Sequence, residues 1–223
     1  VTLTPVPAEV RRADDLLPAA RRLVDRVAEA AARDPDLEVS CRLGCTRCCT
    51  HAVPATGAEV RAVLAAVERL DPDRRRRVRE RIADADRRLA AEGIDEWSFA
   101  ETDAATVDRL NRRYFSLGLD CPLLEDGACT VYADRPLACR AYLVSSDPEH
   151  CDDPTSGRVV RIRGRRDAAR GFRRVARELG DGAVLVLGPA LARPLAGPVD
   201  VEPRSGPRLA AAMTSPATAE VTA

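Results

Sequence analysis

Eight cysteines lie between positions 41 and 151 of this chain, and none lies outside that window. Four crowd into Cys41-Arg42-Leu43-Gly44-Cys45-Thr46-Arg47-Cys48-Cys49; Cys121, Cys129, Cys139 and Cys151 follow. Thiolates at three- and four-residue intervals can converge within about 2.3 Å of one ion or cluster iron. Sulfur-only ligation fits tetrahedral zinc and iron–sulfur clusters alike, and excludes magnesium or calcium, which take oxygen. Cys41, Cys45, Cys48, Cys49, Cys121, Cys129, Cys139 and Cys151 are therefore the expected metal ligands. An iron–sulfur cluster is the favoured cofactor and Zn2+ the alternative. Eight sulfurs suffice for two four-sulfur sites, or for one cluster with thiols left for redox exchange or substrate.

Were residues 41–49 helical, positions i, i+4, i+7 and i+8 would lie within a fan of about 100°, all four thiols pointing one way. A tight turn around Gly44 would concentrate them as well. The bland alternative is a buried face of small apolar cysteines, but Arg42, Thr46 and Arg47 supply no wider core around them. Cys121-Pro122 echoes the Cys-Pro that closes bacterial ferredoxin motifs, a hint toward iron.

His51 and His150, the two histidines of the chain, lie beside Cys49 and Cys151. Next to a full cysteine set such residues are more often outer-sphere or exposed than ligands. Tyr132, Arg135 and Arg140 flank the later cysteines; packing and surface charge compete there with arginines that lower thiol pKa or bind an anionic substrate. Arg74-Arg75-Arg76-Arg77 is interleaved with Asp73, Glu80, Asp84 and Asp86, which favours a solvated helix face over a nucleic-acid contact. Trp97 with Phe99 reads as a core or loop anchor. No Ser-His-Asp order, P-loop or paired carboxylates in a motif context support hydrolytic or nucleotide chemistry.

All 35 basic residues are arginines, and 35 acids balance them, so no net field draws the chain to nucleic acid or an acidic membrane. No stretch approaches the roughly 20 apolar residues that span a bilayer, and no signal-peptide pattern opens the chain. The expected location is the cytoplasm, where thiols stay reduced and clustered cysteines read as metal ligands; in a secreted protein, disulfides would suit the same even count.

The elements that must position these sulfurs read as mainly helical. Leu16, Ala20, Leu23, Val24, Val27 and Ala31 mark one helix, stopped at Asp34-Pro35. Thr56-Gly57-Ala58-Glu59 has capping-box spacing before Val60, Val63, Leu64, Val67 and Leu70. Asp71-Pro72 opens a charged helix with Val78, Ile82, Ala85 and Leu89 as its apolar stripe, ending near Gly93. Residues 103–117 predict a fourth helix, with Val107, Leu110, Tyr114 and Leu117. Arg135-Pro136 starts a short helix with Cys139 one turn inside. A strand over 159–162, a helix over 167–179, a brief apolar run over 183–187 and a flexible Pro/Ala-rich tail over 191–223 complete the reading.

Glu125-Asp126-Gly127 signals a hairpin whose register bears on the site. A two-residue turn pairs Leu124 with Cys129 and would put Cys121 on the opposite face; a three-residue loop pairs Leu123 with Cys129 and keeps both sulfurs together. The three-residue loop is the one expected. The fold class is thus mainly α with a small β-hairpin, an irregular cysteine-rich metal-binding domain over 38–190 packed on helices, preceded by an N-terminal extension with one helix over 1–37.

Cys41-x3-Cys45-x2-Cys48 reproduces the spacing of the radical SAM loop, but that family needs a βα barrel where helices follow here. Read together, the first cluster, Cys121-Pro122-Leu123, Gly127-Ala128-Cys129-Thr130-Val131-Tyr132, Arg135-Pro136-Leu137-Ala138-Cys139-Arg140 and Cys151 resemble the CxxCxxCC family of YkgJ-type proteins. The resemblance covers roughly residues 41–151 and implies zinc or iron chelation, or an Fe–S cluster. It departs at the first interval, three residues instead of two, which bears on Cys41. Flagellin lysine N-methylase has a similar segment but is much longer, and no glycine-rich nucleotide loop here supports methyl transfer. A metal-binding role, redox or modifying, is the leading expectation. A structural zinc module without catalysis and an Fe–S enzyme with an open iron site are the alternatives. The partner, whether protein or small molecule, is unidentified; nucleic acid and membrane are not expected.

Overall fold

The computed structural model describes residues 6–94, 104–162 and 165–214. Trp97 and Phe99, and the side chain of Val107, lie outside the described residues. The elements in chain order are β1 (Glu9–Val10), α1 (Ala13–Ala32), β2 (Pro54–Thr56), α2 (Gly57–Glu68), α3 (Pro72–Ala91) and α4 (Ala104–Ser116). They continue with β3 (Leu124–Glu125), β4 (Ala128–Cys129), α5 (Leu137–Ala141), α6 (Arg165–Glu178), β5 (Val184–Val186), α7 (Leu187–Ala192), β6 (Arg204–Ser205) and α8 (Gly206–Thr214). The fold is mainly α, and its strands form small antiparallel pairs: β1 with β6, β2 with β5, β3 with β4. No helix among the described residues is long and apolar enough to cross a membrane.

Local chemistry explains the long helices. At α2, Glu59 N–H donates to Thr56 Oγ1 at 3.3 Å, while Glu59 Oε2 accepts from Thr56 N–H at 2.9 Å, the reciprocal box its spacing predicts. Asp181 adds a second cap, accepting from Gly57 N–H at 3.2 Å and Ala58 N–H at 2.6 Å. At α3, Asp71 accepts from Arg74 N–H at 2.9 Å with Pro72 in the first turn. Helix α1 starts three residues before its apolar stripe because Asp15 caps it, accepting from Arg11 N–H and Arg12 N–H at 3.0 Å each.

Two apolar clusters face each other across α2. One joins Leu16 and Leu17 of α1, Leu137 of α5, Phe172 and Val175 of α6 and Leu209 and Met213 of α8. The other joins Val60 and Val63 of α2, Val78 and Ile82 of α3 and Leu187 of α7 with Leu123 and Val131, and Cys121 and Cys129 pack against it. The elements carrying cysteines thus abut both clusters.

Three expectations are corrected. Residues 191–223 were expected to be a flexible tail, yet β6 pairs with β1 and α8 buries Leu209, Ala210 and Met213 against α6 and α1. Burying Leu209 and Met213 is worth about 2 kcal/mol each, enough to order a segment whose own pattern is weak. Helix α1 belongs to the same core. The strand over 159–162 is reduced to one bridge, Val144 to Arg161, flanked by Ser145 N–H to Val160 O at 3.0 Å and Ile162 N–H to Leu143 O at 3.0 Å.

The third correction is the hairpin. Its pairing is Leu124 with Cys129 and Glu125 with Ala128, around a two-residue turn. Asp126 and Gly127 have φ of +50° and +72°, the left-handed pair a tight primed turn requires. Strand alternation does not extend back to Cys121, because Leu124 N–H donates to Cys121 O at 2.9 Å and the chain turns there. The face rule behind the expected loop therefore does not apply to Cys121.

Candidate metal centre

The first cysteine run is not an α-helix. Gly44, with φ of +85°, turns the chain, and Arg47–Thr50 then form one turn of 3-10 helix. This single turn is the hub of the site. Cys121 N–H donates to Cys49 O at 2.7 Å, binding the turn to the residues before the hairpin. His51 Nε2 bonds Cys151 O at 2.9 Å, and the Arg47 guanidinium pairs with Asp152 and with Glu149 at 3.6 Å, binding it to the Pro148–Asp152 turn. Cys48 faces the same cleft as Cys139 of α5. Sulfurs more than 70 residues apart in sequence thereby become neighbours.

All eight cysteines are free thiols. Grouped by which thiols act electrostatically on which, they form two lobes that share Cys48. In the inner lobe, Cys139 feels the charges of Cys121, Cys48 and Cys129, and Cys121 feels Cys129 and Cys48. In the outer lobe, Cys151 feels Cys48, Cys41 and Cys45. Cys49 is a hydrogen-bond partner of Cys48. The Cys41 sulfur is 4.0 Å from Tyr142 O.

The crowding shows in the thiols' reluctance to ionise. A hydrogen bond with Cys49, then burial, holds the Cys48 thiol far above its ordinary value. Burial pushes Cys121 up to about 12, and burial raises Cys129, Cys139 and Cys151 as well. Thiolates packed together repel one another, and a bound cation inverts that balance by deprotonating the thiols it coordinates. Among the described residues, no three Cys, His, Asp or Glu side chains yet surround one point at coordinating distance. The neutral thiols are neighbours short of coordination geometry, and a staggered χ1 step moves a sulfur by more than a bond length. The donor set fits a thiophilic metal in number and softness.

Residues around the sulfurs divide by role. Arg135 stacks on the Tyr132 ring at 3.7 Å, its Nε and Nη1 buried without hydrogen-bond partners, and it favours ionisation of Cys48, Cys129 and Cys139. Arg140 is a fastener: it donates to Asp25 Oδ2 at 2.6 Å, to Arg135 O at 3.0 Å and to Ala133 O, tying α5 to α1. His51 is half-buried, and its desolvation lowers its pKa; it packs edge-on against Phe115 and Tyr142 at 5.9 and 5.6 Å. Its ring bonds the backbone carbonyl of Cys151. His150 Nδ1 bonds Arg158 O at 3.2 Å on the exposed side.

The arginine run is partly a clamp. Arg74 and Arg77 of α3, with Arg81, surround Glu125 at 2.6, 2.9 and 3.3 Å, so α3 grips the hairpin that carries Cys129. Buried Glu59 does the same for α5, accepting from Leu137 N–H at 2.7 Å. Neither contact could be read from the sequence, because both join elements remote in the chain.

A family model spans residues 40–156, just over half the chain and the whole cysteine constellation. The chain belongs to the CxxCxxCC family. The proposed role of that family is zinc or iron chelation, in agreement with a sulfur-only donor set. The first interval in this CxxCxxCC chain, Cys41-x3-Cys45, is one residue longer than the family's name spells, and the Cys41 sulfur lies 4.0 Å from Tyr142 O. No curated protein and no solved structure matches the chain.

Proposed function

We propose that this CxxCxxCC protein holds an iron–sulfur cluster through Cys48, Cys121, Cys129 and Cys139, in a redox or modifying role, with Cys41, Cys45, Cys49 and Cys151 flanking it. The observation that carries the reading is the Cys121 N–H to Cys49 O hydrogen bond, which sets the Arg47–Thr50 turn against the residues before the hairpin, together with the cleft that Cys48 and Cys139 share. Four sulfurs complete a cubane's protein ligands, which leaves four more cysteines for a second site or for thiol exchange. Cys48 and Cys139 border an open cleft, so a centre held there is accessible from solution. When bound, the cluster would supply electron transfer or an iron Lewis acid. The side chains would hold it, with Arg135 offsetting negative charge and His51 fixing the Cys151 segment.

Zinc is the second reading, favoured by the same tetrahedral sulfur set, and would make the domain a structural interaction module. Metal and acid-labile sulfide analysis of anaerobically purified protein separates the two. Brown protein with sulfide and iron in equal amounts supports the cluster; colourless protein with stoichiometric zinc and no sulfide replaces it with the second reading.

A further inference from the structure

A cleft of about 680 Å³ opens over Cys48 and Cys139, within the size range of small-molecule sites. Arg112, Arg161, Arg170 and Arg173 line it, and no aspartate or glutamate does among the described residues. This is a local departure for a chain whose 35 basic and 35 acidic residues cancel. Several arginines elsewhere find carboxylates, among them Arg12 with Asp200, Arg21 with Asp134, Arg61 with Asp14 and Arg140 with Asp25. Arg161 and Arg173 make no carboxylate ion pair among the described residues, and Arg170 has only an exposed contact with Asp167 at 3.8 Å.

The walls between these cations are shaped for an organic body. Phe115, Tyr142 and His51 form an edge-to-face aromatic group, and the Arg161 guanidinium lies 5.6 Å from the Tyr142 ring centroid. The Tyr142 hydroxyl is buried with no hydrogen-bond partner at normal distance, although Arg161 and Cys151 act on it electrostatically. Arg173, on α6, is half-buried; Glu59 behind it contributes charge but is already engaged by Thr56 and Leu137. Guanidinium groups present paired donors that match carboxylate and phosphate oxygens.

We infer that this cleft binds a small organic anion, its carboxylate or phosphate on Arg161 and Arg173, its body against Tyr142 and Phe115, and its far end at Cys48 and Cys139. The inference needs the arginines and not the metal, so it holds for cluster, zinc or thiol forms. It also names the substrate class for the centre proposed above.

The test is calorimetric titration of the full chain as purified with succinate and with glycerol 3-phosphate, glycerol serving as the uncharged comparison, alongside metal analysis of the same sample. Saturable binding of either anion is expected, with no heat from glycerol and weakening by added salt. The probe that binds tells carboxylate from phosphate recognition. Arg161→Gln, at an exposed position, and Arg161→Gln with Arg173→Gln should weaken binding at least tenfold, while Arg76→Gln, on the far charged helix, leaves it unchanged. An unshifted thermal midpoint in Arg161→Gln separates lost binding from lost fold. Absence of millimolar binding for both anions, or equal affinity in wild type and the two cleft variants, overturns the inference. Metal content decides the centre's identity independently.

Discussion

The carboxylate of Glu59 accepts a hydrogen bond from Leu137 N–H at 2.7 Å while its other oxygen caps its own helix at Thr56. A fully buried acid in α2 thus fixes the first turn of α5, two residues before Cys139. Burial pushes its pKa up, against the three donors that favour the carboxylate. Glu59→Ala leaves the backbone N–H groups of Thr56 and Leu137 without this acceptor and should cost about 3 kcal/mol. Urea denaturation of the purified protein measures it, and bound metal per chain should fall in the same variant as Cys139 loses its support.

Glu125 behaves oppositely. Arg77 first, then Arg74 and Arg81, hold its pKa down to about 2, which makes it the anchor of the hairpin on α3. A carboxylate with a lowered folded pKa stabilises above its unfolded value of about 4.3, and that stabilisation fades as pH falls toward the folded value. Amide protection factors over residues 121–131, taken relative to the intrinsic exchange rate at each pH, should therefore fall on acidification between about pH 4.3 and pH 2, in metal-free reduced protein. Glu125→Gln should show the lower protection already at pH 7, with little further change on acidification over that interval.

At Gly171 the packing of α6 on α8 leaves no room for a side chain: a Cβ there would stand 2.0 Å from Met213 O. Gly171→Ala should force the helices apart and cost about 1–3 kcal/mol. Limited proteolysis is the readout, because α8 would detach first and cleavage would appear near residue 204. If the segment were a tail, the substitution would change nothing.

Removing the metal should unfold the site before the helices. A structural metal contributes on the order of 10–16 kcal/mol in small zinc peptides, comparable to the 5–15 kcal/mol net stability of a domain. Chelation under reducing conditions should lower the thermal midpoint markedly, and an unchanged midpoint would refute a structural metal.

The two lobes predict unequal roles. Cys121→Ser, Cys129→Ser and Cys139→Ser should each reduce bound metal about tenfold or more, whereas Cys41→Ser should retain most of it. Metal analysis of the purified variants checks this, and equal losses at all four would place Cys41 among the ligands.

Much of the helical framework was legible because its signals are local. The Thr56–Glu59 box, the Asp71-Pro72 start and the stripe Val78, Ile82, Ala85, Leu89 are all written within a few residues of the contacts they make. The hairpin's existence was legible too, but its loop length was inferred from a face rule that needs a continuous strand. The backbone turn at Cys121 removed that premise. Helix α8 has too few turns to declare itself, and its order comes from α1 and α6.

By itself the sequence determined the donor chemistry, since sulfur, count and spacing are covalent facts that already exclude hard cations and point to zinc or iron. Tertiary structure decided which cysteine segments meet, because the Arg47–Thr50 turn reaches Cys121 and Cys151 only through hydrogen bonds spanning 70 to 100 residues. It also decided that arginines from α4, the Val144–Arg161 bridge and α6 share one cleft with no carboxylate among the described residues. Such an arrangement depends on how helices pack, and packing distances are not encoded in any local run of residues.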